Sequence, residues 1–162
     1  KGMTLMQAVT GEGFIELLGK TIDSIMMEYP MAKNITVLGF CFGGKLAYLS
    51  GVDKRVTTIV SFYGGASLAP DFYQGKSAVR SLVDARKDDA DLRVLGLFGE
   101  QDELIPLQDR EAIHDTLSGA GINCEIRVLK AGHAFFNQDR ADRYNASAAE
   151  VAWRNSVIPF LA

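Results

Sequence analysis

Apolar residues recur along the chain with two different spacings, which predicts that helices and strands alternate. Intervals of three and four residues between apolar positions indicate helices, and short apolar runs rich in Val and Ile indicate buried strands. The predicted helices span residues 12–29, 45–50, 108–119 and 146–161, and the predicted strands span residues 35–40, 55–63, 92–98 and 124–129. This alternation predicts an α/β fold, with a mainly parallel sheet and helices on both faces.

The least regular stretch lies between the second and third predicted strands, at residues 66–91. Pro70, Gly75 and a charged run at residues 84–89 interrupt weak helical spacing there. We predict a solvated connection between the two strands. The alternative is a cap that closes over a pocket, since long connections often carry binding functions.

Length and charge narrow the class of protein. With 162 residues and a net charge of −3, the chain is long enough for one domain and has no basic run for nucleic acid or anionic lipid. We expect a single domain over residues 1–162, in which residues 1–11 are irregular or form an arm exchanged between neighbours. No apolar run has the length of a membrane span and no signal peptide is visible, so we expect a cytoplasmic protein. The first residue is Lys rather than Met, which leaves open whether the chain was cut from a longer one.

The most informative stretch joins the first predicted strand to the helix that follows it. Its sequence, Gly-Phe-Cys-Phe-Gly-Gly at residues 39–44, has the strand–turn–helix form of a nucleophile elbow, with Cys41 as the nucleophile. The helix dipole at such a turn favours a thiolate, and the N–H of Phe42 is placed to donate to an oxyanion. The alternative for Cys41 is a buried core thiol.

Two further reactive side chains follow predicted strands. Asp102 comes after the strand at 92–98, and His133 comes after the strand at 124–129. Ligands bind outside the carboxyl ends of parallel strands, so these groups are expected to meet Cys41 there, with His133 as the base and Asp102 as its acceptor. Glu100 and Glu103 compete with Asp102 for that role. His114 is interpreted as a satisfied surface or core group, and Cys124 as an inert core thiol. Without a C-x-x-C pair or a His/Cys cluster we expect no metal and no cofactor.

These residues resemble the dienelactone hydrolase (carboxymethylenebutenolidase) family of the α/β-hydrolase superfamily. The matching stretches are residues 37–45, 62–65, 99–106, 132–137 and 143–146, followed by Ala152 and Trp153. The resemblance implies Cys41 as nucleophile, Asp102 as acid and His133 as base. It also implies that a small ester or lactone is hydrolysed through an acyl-thioester. The residues Phe40, Tyr63, Phe135 and Phe136 are expected to form a compact apolar pocket, although each is equally compatible with the core.

The chain departs from the family before residue 12, where family members have several more strands and a helix. The resemblance implies that this portion supplies a second oxyanion amide, a carboxylate that helps activate the cysteine, and an Arg for the substrate. Asn137 stands where the family pattern has another Arg, and Arg140 and Arg143 lie nearby without an assigned role. The expected fold is therefore a truncated α/β-hydrolase fold.

We expect this difference to leave the strand at 35–40 as an apolar edge with no strand of this chain to pair with its outer side. Such edges invite association. We therefore predict a homodimer or higher oligomer that covers the edge, with a neighbour's residues 1–11 as one means of doing so. The functional alternatives are a non-catalytic relative that acts as a binding or assembly module, a fragment active only with its other half, and a minor redox role for Cys41.

Overall fold

Four strands form one parallel sheet in the computed structural model, which describes residue 6 and residues 8–162. They lie side by side in chain order and are β1 (Ile35–Phe40), β2 (Val56–Phe62), β3 (Arg93–Gly99) and β4 (Asn123–Leu129). Each lies within one residue of the predicted bounds at both ends, so the four predicted strands are confirmed. All four therefore direct their carboxyl ends to the same edge of the sheet.

Helices precede, connect and follow these strands. They are α1 (Gly11–Glu28), α2 (Phe42–Ser50), α3 (Ala78–Arg86), α4 (Leu107–Ser118), α5 (Ala146–Glu150) and α6 (Ile158–Leu161). The side chain of Thr10 caps α1 by accepting a hydrogen bond from the N–H of Gly13. The predicted helix at 146–161 is α-helical only at its ends, because residues Val151–Val157 adopt the wider π-helical turn.

The helices cover both faces of the sheet. Right-handed crossovers between neighbouring parallel strands place α2, α3 and α4 on one face. On that face, a Cβ atom at Gly96 of β3 would lie 3.0 Å from the hydroxyl of Tyr48 in α2. Arg93, three residues earlier in β3, faces the other way and stacks on the ring of Phe160 in α6. The last helix therefore packs on the opposite face.

The stretch at 66–91 is not a solvated connection throughout, which corrects the prediction. Its second half is α3, which begins after the cap residue Ser77 and buries Val79 and Leu82 in the core. The charged residues Lys76 and Arg80 pair with Asp84 on the outer side of this helix. The helix was missed because its apolar face is short and its last turn overlaps the charged run at 84–89.

The outer edge of β1 is unpaired in the part of the chain that the structure describes, where β1 pairs with β2 alone. The expected arm at 1–11 lies largely outside the described residues, and its last residue, Gly11, is the first residue of α1. The core lies between the sheet and its helices, and its largest fully buried side chains are Tyr48, Phe62, Phe98 and Phe135.

Candidate active site

Cys41 occupies the sharp turn between β1 and α2, in a backbone conformation that residues with side chains rarely adopt. Its φ is +53° and its ψ is −118°, which costs about 1–3 kcal/mol. The backbone N–H of Cys41 donates to the carbonyl of Phe62 at 2.9 Å and so ties the turn to β2. The thiol stands at the first turn of α2, and the residue is exposed.

The three glycines around Cys41 differ in how closely other backbone atoms approach them. A Cβ atom on Gly39 would lie 2.0 Å from the carbonyl oxygen of Gly43, so Gly39 lets the strand and the helix approach each other as predicted. Gly43 has no neighbour within 4 Å of such an atom, so no steric role is found for it. The second close approach is instead at Gly44, where a Cβ atom would lie 2.8 Å from the Cα of Gly64.

Asp102 lies on the loop after β3, and its side chain is fully buried. Its Oδ2 accepts a hydrogen bond from Nδ1 of His133 at 2.8 Å, and its Oδ1 accepts one from the N–H of Leu104 at 2.9 Å. The two competing residues, Glu100 and Glu103, are exposed. Of the three, Asp102 is therefore the carboxylate that the structure places beside the imidazole.

His133 lies on the loop after β4 and connects the other two groups. Its Nε2 lies 3.3 Å from Sγ of Cys41, and its ring stands edge-on to Tyr63 with centroids 5.1 Å apart. The loops of Asp102 and His133 meet closely, because a Cβ atom on Gly99 would lie 2.4 Å from the carbonyl oxygen of Ala131. The structure thus brings side chains from three strand ends into one hydrogen-bonded chain.

Electrostatics in this chain favour a proton on the imidazole and a negative charge on the sulfur. The hydrogen bond to Asp102, with the Cys41 contact second, raises the pKa of His133 to about 9. The hydrogen bond with His133 lowers the pKa of Cys41, and partial burial opposes this shift. Both shifts favour a thiolate–imidazolium pair over a neutral thiol beside a neutral imidazole.

The backbone N–H of Phe42 lies beside the same sulfur. Its hydrogen bond to Cys41 contributes further to lowering the pKa of that thiol. Phe42 is the first residue of α2, so its N–H has no partner within the helix. A backbone donor beside the sulfur without a partner in the helix suits an oxyanion site, and the oxyanion role of Phe42 stays a prediction.

Three of the four aromatic residues predicted to surround the site line one open cleft. Phe40, Tyr63 and Phe136 form its walls with the loop after Phe136, and the cleft holds about 430 Å³. Phe135 is wholly buried and packs against Tyr63 in the core, so its prediction as a pocket residue is wrong. Burial raises the pKa of Tyr63 to about 12, which keeps its phenol neutral.

A second cleft, of about 510 Å³, opens on His133 and has polar walls. Arg140 and Arg143 line it, and both pair with the carboxylate of Asp142. Asn137 is engaged in its own turn, where its side-chain oxygen accepts a hydrogen bond from the N–H two residues on. The two arginines thus lie beside the imidazole, with their charges partly offset.

The remaining sulfur and imidazole lie away from this site. Cys124 is half-buried within β4, and burial raises its pKa to about 12. His114 lies on the exposed surface of α4, where its ring contacts Asp115. The strand position of Cys124 and the surface position of His114 agree with the predictions, and the low reactivity of Cys124 stays a prediction.

Two further features are absent from residue 6 and residues 8–162. That part of the chain contains no group of three or more His, Cys, Asp or Glu side chains that could hold a metal ion. It also contains no helix with the length and apolar character needed to cross a membrane. The reactive groups that the structure does bring together are Cys41, His133 and Asp102.

The chain is similar in sequence to proteins of one family. The sequence profile of the dienelactone hydrolase family matches residues 9–162. A relative from Synechocystis sp. with the provisional name carboxymethylenebutenolidase is 35% identical over 123 residues, which cover 75% of this chain and 48% of the relative. A relative from Yersinia pestis with the same name is 32% identical over 124 residues, 75% of this chain and 44% of the relative. The chain therefore spans about half the length of the curated relatives it matches.

Solved structures share the fold. A provisionally assigned dienelactone hydrolase from Klebsiella pneumoniae aligns with a TM-score of 0.64 at 28% identity, over 78% of this chain and 51% of that one. An esterase from Pyrococcus furiosus aligns with a TM-score of 0.66 at 16% identity, over 93% of this chain and 60% of that one. The second likeness concerns the fold alone. Together they confirm the predicted α/β-hydrolase architecture.

Proposed function

The chain belongs to the dienelactone hydrolase family, and we propose that it hydrolyses a small ester or lactone with Cys41 as the nucleophile. The Cys41 thiolate attacks the carbonyl carbon, and the His133 imidazolium gives its proton to the departing oxygen. The acyl group stays on the sulfur as a thioester. Neutral His133 then takes a proton from water, which attacks the thioester and releases a carboxylic acid and the thiol. Asp102 keeps the imidazole in the reactive tautomer.

The observation that carries this proposal is the continuous contact from Asp102 through His133 to Cys41. The two links measure 2.8 and 3.3 Å, and they reach opposite nitrogens of one ring. A carboxylate on Nδ1 requires the proton there, which leaves Nε2 to exchange a proton with the sulfur. This division of roles supports covalent catalysis better than a binding role, for which no such link is needed.

The surroundings of the sulfur support the substrate class. The Phe42 N–H lies beside the sulfur, where it can stabilise a carbonyl oxygen that becomes negative on attack. The aromatic cleft is lined by Tyr63 and the polar cleft by His133, and these two rings lie 5.1 Å apart, so the clefts adjoin beside the imidazole that contacts the sulfur. An uncharged ester or lactone carbonyl with a small apolar body fits between two such clefts.

The test is acylation of Cys41 by the activated ester p-nitrophenyl acetate. We expect release of p-nitrophenol and, in quenched samples, an acetyl group on the peptide that contains Cys41. Cys41→Ala should abolish both, and Cys124→Ala should retain both because that thiol lies outside the contact chain.

Two results would contradict the proposal. One is turnover that persists in a folded Cys41→Ala variant, which would place the nucleophile elsewhere. The other is a folded wild-type protein that neither turns over the ester nor becomes acetylated at Cys41. Digestion and mass spectrometry of the same samples separate the two, because they report the position of every acetyl group.

We also propose that a second copy of the chain covers the outer edge of β1, so that the protein is a homodimer or larger homo-oligomer. Among the residues that the structure describes, β1 has one strand partner. Its sequence, Ile-Thr-Val-Leu-Gly-Phe, contains none of the charges or prolines that discourage edge pairing. Large apolar side chains are exposed at both ends, with Met31 83% exposed before the strand and Phe40 40% exposed at its end.

Removal of one outward-facing backbone donor tests this interface. The N–H of Cys41 points to β2, so alternation along the strand points the N–H of Thr36 outward. We expect the wild type and Thr36→Val to sediment as dimers or larger at micromolar concentration, and Thr36→Pro to shift toward monomers. A wild-type monomer under these conditions would refute the interface, as would an unchanged assembly in a folded Thr36→Pro variant.

A further inference from the structure

Arg110 is a buried cation that holds the loop on which Asp102 lies. It belongs to the second turn of α4 and is 5% exposed. Its Nε donates to the carbonyl of Ile105 at 3.0 Å, and its Nη2 donates to the carbonyl of Glu100 at 3.4 Å. These two carbonyls lie on either side of Asp102 in the sequence, so one rigid guanidinium spans the loop.

The position of this loop determines where the Asp102 carboxylate lies. On one side the loop is tied to the end of β4 and to the loop of His133, because the N–H of Glu100 donates to the carbonyl of Leu129 and that of Gln101 donates to the carbonyl of Ala131. These bonds hold the first half of the loop and leave the second half, up to Ile105, to other contacts. The N–H groups of Leu104 and Ile105 donate to the side chain and the carbonyl of Asp102 within the loop. Arg110 adds a side-chain link from Ile105 back to Glu100.

The charge of Arg110 is unusual for a purely structural residue. No carboxylate lies within 4 Å of its guanidinium in the described part of the chain, so carbonyl oxygens alone compensate its burial. Burying a cation in this way is costly, and an apolar side chain of similar volume often fills such a place at a lower free energy. Arg86 is just as buried but also pairs with Asp89, at the end of the sheet remote from Cys41.

We infer that Arg110 is a positioning residue that holds Asp102 on Nδ1 of His133. The inference rests on the proposed function, since it assigns Arg110 an effect on the contact chain to Cys41. It predicts that loss of the guanidinium displaces the carboxylate, weakens its bond to the imidazole and raises the pKa of the thiol. A displacement of about 1 Å can cost about 100-fold in rate, and we expect a loss of this size in kcat with a smaller change in KM.

The test compares Arg110→Met with Arg86→Met, in which the other buried arginine loses its carbonyl bonds far from the site. The readouts are the pH dependence of Cys41 alkylation by iodoacetamide and the low-field proton NMR signal of the His133 Nδ1–H. We expect Arg110→Met to move the alkylation profile to higher pH and to weaken the NMR signal, and Arg86→Met to leave both as in the wild type. Arg110→Lys, which keeps the charge but not the fork, should give an intermediate profile.

These outcomes separate the two proposals. If the wild type hydrolyses no ester, the alkylation profile and the NMR signal still report whether Arg110 controls the contact between Asp102 and His133. If folded Arg110→Met keeps the wild-type profile, Arg110 is structural only and the inference is wrong, whatever the esterase assay shows. If Arg110→Met does not fold, a wild-type profile in Arg110→Lys has the same meaning.

Discussion

The two cysteines of the chain carry the same side chain in opposite environments. Cys41 lies beyond the end of β1, exposed, with His133 on its sulfur, and its pKa is lowered. Cys124 lies inside β4, half-buried, and its pKa is raised to about 12 by burial and by the charge of Glu125. The difference shows that place in the sheet, rather than residue type, determines which thiol is reactive.

The physical basis is the direction of the strands. All four run parallel, so the loops after β1, β3 and β4 meet at one edge, where Cys41, Asp102 and His133 come together. A side chain within a strand is surrounded instead by residues of the neighbouring strands and by the helices that cover that face of the sheet. Within this fold a strand end is therefore a site of chemistry, and a strand interior is a site of packing.

The largest expected effect comes from removing the Asp102 carboxylate, whose bond to His133 distinguishes the surroundings of Cys41 from those of Cys124. Asp102→Asn keeps the shape of the side chain, but an amide can donate to Nδ1 and so favours the tautomer with the proton on Nε2. That nitrogen then cannot accept the thiol proton. We expect kcat/KM to fall about 10⁴-fold, measured with the ester substrate.

Glu100→Gln is the matched control for this variant, because it makes the same chemical change on an exposed side chain of the same loop. It should keep the wild-type rate and the wild-type alkylation profile. Equal losses in the two variants would mean that the charge of the loop, rather than the Asp102 contact, sets the behaviour of Cys41.

The next effect is the difference in labelling between the thiols themselves. Each pKa unit changes the thiolate fraction about tenfold, so the two shifts imply a thiolate fraction at least about 10³-fold larger for Cys41 than for Cys124 near neutral pH. We therefore expect Cys41 to be labelled much faster than Cys124. Iodoacetamide labelling followed by peptide mass spectrometry measures both rates in one sample. Comparable rates in the folded protein would remove the contrast from which the proposed role of Cys41 follows.

A smaller and more graded effect is the pH dependence of ester hydrolysis. The reaction requires the thiolate, which is lost as the pH falls below the lowered pKa of Cys41, and the imidazolium, which is lost as the pH rises through the pKa of His133 at about 9. We therefore expect a bell-shaped profile of kcat/KM, with each limb falling about tenfold per pH unit. Activity that keeps rising well above pH 9 would show that the protonated imidazole is not needed.

Sequence patterns predicted the parts of this site that depend on local chain geometry. A glycine-bounded turn between an apolar run and a helix locates Cys41 without tertiary information, and strand ends located Asp102 and His133 in the same way. The choice of Asp102 over Glu100 and Glu103 needed the structure, because neighbouring loop carboxylates differ only in which one turns inward.

Features that depend on packing between distant segments were missed. Phe135 and Phe136 are adjacent and chemically alike, yet one ring lies in the core and the other in a cleft wall. Arg110 left no signal in the sequence, because its partners are backbone carbonyls, which every residue has. Helix α3 was missed because its apolar face is short and its last turn overlaps the charged run at 84–89.

The smallest expected effect concerns Cys124, the second of the two cysteines. Cys124 packs against the core from β4, so Cys124→Ala removes apolar contacts and should lower the free energy of unfolding by about 1 kcal/mol while leaving ester hydrolysis unchanged. Cys41→Ala should show the opposite pattern, with activity lost and stability nearly kept, because the Cys41 residue is exposed. Chemical denaturation measures the free energy of unfolding of both variants, and the ester assay measures their activity. Cys124→Ala could instead lose more activity than the loss of folded protein explains. That result would mean that a packing change inside β4 alters the position of His133, so that the interior and the end of this strand are not independent.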